Sequence, residues 1–133
     1  MKHALVVALV AFSFSAFAAD QVVTVSFDSI AAIPSKSGEK LDPSLFSFGP
    51  AVPGGEDDLG HATSNAFGKS KEEACRWALL GTFLKFQAKA KASGKKVVGV
   101  RTYAGEKGES SSGNCVCLAG GIVVRSTIKA SYK

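Results

Sequence analysis

The sequence predicts an α+β domain: a single long helix packed on an antiparallel sheet and stapled to it by a disulfide. Three observations carry that prediction. Residues 72–92, "EEACRWALLGTFLKFQAKAKA", hold apolar side chains over an arc too wide for a solvated helix. Segments on either side of it alternate apolar and polar residues, as half-buried strands do. Three cysteines occur in a chain that begins with an export leader, so an oxidising compartment is expected to pair two of them.

The leader is residues 1–18. Met1-Lys2-His3 is a short basic start, Ala4 to Phe14 is apolar, and Ala16-Phe17-Ala18 is a small-x-small cleavage site. The apolar run is short for a membrane span and no stop-transfer segment follows, so no transmembrane segment is expected. Ala19, not a cysteine, follows the site, which argues against a lipid anchor. Residues 19–133 are then one domain, periplasmic or secreted.

Within that domain "QVVTVSF" reads as a strand, with Val23, Val25 and Phe27 to one side. "AAIPSKSGEKLDPS" reads as loop on Pro34, Gly38 and Pro43. "LFSFG" is a short strand with Phe46 and Phe48 on one side. Residues 49–68 hold prolines, glycines and the acidic run Glu56-Asp57-Asp58, and read as an irregular surface loop.

The helix opens on Ser70 with Glu73 three positions on, a capping box, and Glu72 and Glu73 suit its positive end. Trp77, Leu80, Leu84 and Ala88 line one flank, and Cys75, Leu79, Phe83 and Phe86 the next. Thr82, Lys85 and Lys89 fall on the face expected to be solvated, and Gly94 is the expected C-terminal cap. "KKVVGVRTYAG" follows as a strand with Val98, Val100 and Thr102 on one face and Val97, Arg101 and Tyr103 on the other. A Gly/Ser-rich turn leads into "CVCLAGGIVVRSTIKASY", a strand with a bulge or bend expected at Gly120-Gly121.

Charge is uneven. Residues 19–70 carry seven acids against three lysines, and residues 71–133 carry twelve Lys/Arg against four Glu. The basic residues are spread over helix, loops and strands, which reads as a solvated surface. Nucleic-acid binding would want exposed aromatics among them, but Trp77, Phe83 and Phe86 sit at core spacing, so no nucleic-acid partner is expected.

Gly68-Lys69-Ser70 ahead of a helix invites comparison with a phosphate-binding loop. That loop needs a glycine five positions before Gly68, where this chain has Thr63. The residues upstream are acidic and would repel phosphate, so no nucleotide cofactor is expected. Cys115 and Cys117 share one strand face, a spacing that suits a soft metal. His61 and Cys75 are the only further soft ligands after the leader, too few for a closed zinc site beside a disulfide. Cys115, Cys117 and His61 are therefore weak metal candidates, and a bridge from Cys75 to the last strand, at Cys115 or Cys117, is the stronger use of the thiols. His61 beside Asp57 and Asp58 is the one place where a catalytic base is conceivable, and no spacing selects it.

"KLDPSLFSFGP", "TSNAFGKSKEEACRWALL", "AKASGKKVVGVRTY" and "CLAGGIVV" together resemble a group of small secreted bacterial proteins, over most of the chain after the leader. Those proteins carry a helix opening Glu-Glu-Ala-Cys-x-Trp and a later Cys-x-Ala-Gly segment, and are often labelled as an excinuclease ATPase subunit. The missing nucleotide motif and the leader disagree with that label. The resemblance implies a disulfide between Cys75 and Cys117, with Cys115 an extra residue. "ASGKKVVGVRTY" is also similar to a wider set that includes candidate heavy-metal binders and the envelope-stress sensor lipoprotein of the Rcs pathway. That set places one helix across an antiparallel sheet. This chain lacks the sensor's lipid-bearing cysteine and its full cysteine set. The reading that results is an exported, non-enzymatic binding protein of envelope maintenance or stress, with another envelope protein as partner. Its alternatives are a metal- or thiol-active protein using Cys115 and Cys117, and a secreted enzyme with a site near His61.

Overall fold

A computed structural model describes residues 20–133, and the leader read at 1–18 lies outside them. The chain forms β1 (Gln21–Ser26), α1 (Phe27–Ala31), a 3-10 turn at Pro43–Leu45, β2 (Phe46–Phe48) and β3 (Asp58–Asn65). It continues through α2 (Lys71–Ser93), β4 (Val97–Tyr103), β5 (Glu109–Ser110), β6 (Asn114–Gly120) and β7 (Val123–Tyr132). The fold is α+β, with α2 laid over a seven-stranded sheet, mainly over β7 and β3 and reaching β1.

The sheet is built around β7. β3 pairs with it antiparallel from Asp58↔Ala130 to Asn65↔Val123. A strand has two edges, so β6 and β4 share the other: β6 by the first residues of β7, β4 by its last. β1 pairs outside β6, with Val23 opposite Cys117 and Val25 opposite Cys115. Every pairing is antiparallel except β2 on β4, which is parallel.

Helix α2 starts and stops as its sequence dictates. The Ser70 hydroxyl accepts from the Glu73 N–H at 3.0 Å, and Gly94 closes the helix at φ +65°. Its buried stripe includes Cys75, Leu79, Leu80, Phe83 and Phe86, which meet Val97, Val100, Val124, Ile128 and Ala130 of the sheet. Phe27, Phe46, Phe48 and Phe83 close one end of this core in tilted and edge-to-face pairs, with ring centroids 5.1–6.2 Å apart.

Five expectations need correction. Residues 58–65 of the expected irregular loop at 49–68 are a regular strand, because alternate residues Gly60, Ala62 and Ser64 are small enough to lie under α2. A Cβ on Gly60 would stand 2.5 Å from Thr82 Cγ2, so the missing side chain is what lets β3 approach. Thr82 is buried, not solvated, with its hydroxyl on the Ala78 carbonyl at 3.1 Å and near Ser126 Oγ at 3.3 Å, while Ala88 is exposed. Phe27 opens a five-residue helix rather than ending a strand, because the Ser26 hydroxyl caps it. In β4 a bulge at Gly99, φ +61°, adds one residue against β7, so Val97 and Val100 both reach the core. The expected single last strand is a hairpin, β6 and β7 joined by Gly121-Ile122.

Candidate functional site

The cysteines divide as the resemblance implied. Cys75 and Cys117 form a disulfide with Cα atoms 5.8 Å apart, tying the second turn of α2 to β6. Cys115 is a free thiol, fully buried, and burial pushes its pKa up to about 12. A thiol so protonated is a small hydrophobe rather than a nucleophile or ligand.

His61 stands apart from it. It lies on the exposed face of β3, with Nδ1 3.5 Å from Thr127 Oγ1 across the strand pair. The weak metal candidates Cys115, Cys117 and His61 are not brought together, and the described residues hold no cluster of metal-ligating side chains.

Asp57 and Asp58 are committed to structural partners. The Asp57 carboxylate accepts from the Arg101 guanidinium at 2.6 Å and from the Ser131 hydroxyl at 3.2 Å. Arg101 also donates through Nε to the Gly99 carbonyl at 2.9 Å. The bond from Arg101 holds the Asp57 carboxyl below its ordinary range, against desolvation. Burial opposes charge on Arg101, and the pairing with Asp57 outweighs it. At Asp58 burial likewise opposes the charge, but the bonds from Lys89 at 2.9 Å and the Tyr132 hydroxyl at 2.8 Å outweigh it. These pairs fasten the start of β3 to α2, β4 and β7.

An opening of about 420 Å³ lies at the C-terminal end of β1, between Ser26-Phe27, Phe46, Phe48 and Gly113-Asn114. Its phenylalanines are already engaged in the aromatic cluster of the core.

Among the described residues, one surface without a structural partner is a tip made of two glycine turns. In the first, Ala66 to Lys69, the Lys69 N–H donates to the Ala66 carbonyl at 3.3 Å and Gly68 takes φ +75°. The Asn65 side chain accepts from the Phe67 N–H at 3.2 Å and steadies the turn. In the second, Gly121 at φ +63° and Ile122 join β6 to β7. The Ala66 N–H donates to the Ile122 carbonyl at 2.7 Å and locks the two turns side by side. Each turn thrusts an apolar side chain outward: Phe67 is 80 % exposed and Ile122 58 %, with Val123 next to them at 37 %. A shallow cleft lined by Thr63, Asn65, Lys69 and Val123 runs beside them.

Sequence reasoning passed over Phe67. The available signal was an aromatic residue between Asn65 and Gly68-Lys69, where neither strand nor helix periodicity gives it a core to enter. No family model, curated protein or solved structure matches this chain.

Proposed function

We propose that this is an exported, non-enzymatic binding protein of the bacterial envelope, acting in envelope maintenance or stress response. On this reading it is not a nucleotide-dependent excinuclease, and it grips another envelope protein through the tip at Phe67, Ile122 and Val123. The observation that carries the reading is the exposure of Phe67 on a hydrogen-bonded turn. A large aromatic held in water by two tight turns gains nothing from the fold, and aromatic anchors next to aliphatic ones are the usual centre of a protein contact. Lys69 and Arg125, across from Thr63, supply a basic rim. The inert Cys115 and the ion-paired Asp57 and Asp58 support a binding role over thiol or carboxylate chemistry. The leader supports export, and the Cys75–Cys117 bridge is compatible with an oxidising compartment.

The test is retention of an envelope protein from periplasmic extract by immobilised protein, compared with a Phe67→Ser/Ile122→Ser double variant. Both sites are exposed, so the melting temperature should stay within a few degrees. Loss of at least about tenfold in retention is the expected result, for an anchor worth about 1.4 kcal/mol or more. Equal retention by the two proteins would remove the tip from the account.

A further inference from the structure

We infer that β3 is a dimerisation edge, and that its occupant is β3 of a second copy, paired antiparallel about His61. The ladder geometry sets the argument. The bond from the Ala66 N–H to the Ile122 carbonyl, together with the register Asn65↔Val123, fixes which residues of β3 bond to β7. Gly60, Ala62 and Ser64 point their backbone groups at β7. Leu59, His61 and Thr63 point theirs away from it. Among the described residues β3 pairs with no other strand.

The edge carries none of the devices that ordinarily block pairing. Its register against β7 runs through all eight residues without a bulge. It holds no proline and no lysine, and α2 lies across its face rather than along its edge. Its one acidic residue, Asp58, is held by Lys89 and Tyr132, and its Oδ1 also accepts from the exposed Leu59 N–H at 3.0 Å.

The same edge is complementary to itself. A two-fold axis perpendicular to the sheet at His61 places His61 opposite its own copy and Leu59 opposite Thr63. All of these present outward backbone groups, so about six hydrogen bonds form, two of them by drawing the Leu59 N–H away from the Asp58 Oδ1 it meets at 3.0 Å in the single copy. Leu59, 50 % exposed, gains a cross-strand neighbour. No two acids and no two lysines meet within the strand. Beyond its ends, Glu56 of one copy is carried towards the turn that leads into Lys69 of the other. Both α2 helices lie on one face of the continuous sheet, and the Phe67 tips point to opposite ends of it. Self-pairing does not depend on the tip's role as a partner surface.

Sedimentation equilibrium of the purified protein over a concentration series tests this. A reversible monomer–dimer equilibrium is expected. His61→Pro removes an outward N–H without touching the β7 ladder, and Thr63→Lys puts a charge against Leu59 of the other copy. Each should weaken association by at least about tenfold. Should His61→Pro fail to fold, Thr63→Lys carries the test alone. His61→Cys should oxidise to a covalent dimer while Thr63→Cys, whose own copy lies further along the edge, should not. A protein monomeric at every concentration would overturn the inference. So would a dimer indifferent to both variants, or equal cross-linking from the two cysteines.

Discussion

Arg101 is a buried cation held by a carboxylate that is itself partly exposed. Only 9 % of it is exposed, while Asp57 is about a third exposed at 34 %. Asp57→Ala strands that buried guanidinium. The expected loss is about 2 kcal/mol in denaturant titration, below the 3–5 kcal/mol of a fully buried pair because water reaches the carboxylate. The folded-state pKa of Asp57 is depressed, so its stabilisation is present above the unfolded carboxylate value, about 3.9, and is lost as pH falls below it. Asp57→Asn should therefore flatten the stability curve on the acid side of that value without abolishing its slope, since Asp58 titrates in the same direction. Cys115 should resist alkylation at pH 8 in the folded protein and react at once on unfolding, its pKa being pushed up to about 12. Gln87 clamps a distant loop: Oε1 accepts from the Asp42 N–H at 2.8 Å and Nε2 donates to the Lys40 carbonyl at 2.8 Å. Cys75, Ser70 and Gly94 were readable from type and spacing alone. Asp57 with Arg101, and Gln87 with Asp42, were not, because their partners lie more than forty residues away in sequence and no local pattern joins them.

At the scale of elements, helix α2 was legible because it is long, capped and bounded by a left-handed glycine. β3 was not. Its sequence, "DLGHATSN", has little β-branched or aromatic character, and it is a strand because of what lies above it rather than what it contains. Gly60→Ala tests that dependence. The added methyl would also stand 2.8 Å from Phe86 Cε2, and the overpacking should cost about 1–3 kcal/mol by thermal or chemical melt. The bulge in β4 shows how one glycine rewrites a face assignment. Strict alternation put Val97 and Val100 on opposite faces. The extra residue at Gly99 puts both under α2, and the Pro50 carbonyl lies 3.0 Å from where a Cβ would be. In the sequence the break at Gly120-Gly121 reads as a bulge or bend, since two glycines mark a bulge, a bend or a turn, and only the pairing of Gly120 with Val123 distinguishes them.

For the whole molecule, the sequence is enough for the class and for a bridge from the helix to the sheet, while the surface proposed to bind a partner emerges only from the fold. The Cys75–Cys117 bridge closes a separation of 42 residues. In the chain-entropy view it stabilises by about 4 kcal/mol, so reduction should lower the melting temperature by more than about 10 °C. The tip illustrates the other case. Phe67 and Ile122 are 55 positions apart (122 minus 67) and become neighbours only because β3 and β7 pair to their ends. No window of sequence could show two turns side by side, each with an apolar residue at its apex.

On the proposed function, this tip is where a partner is held. Its most direct test places a photo-reactive phenylalanine at position 67 in cells, with the same group at the exposed Lys36 as the comparison. A discrete adduct with an envelope protein is expected from position 67, absent from position 36 and lost when Ile122→Ser is added. No adduct from position 67, or the same adduct from position 36, would contradict it.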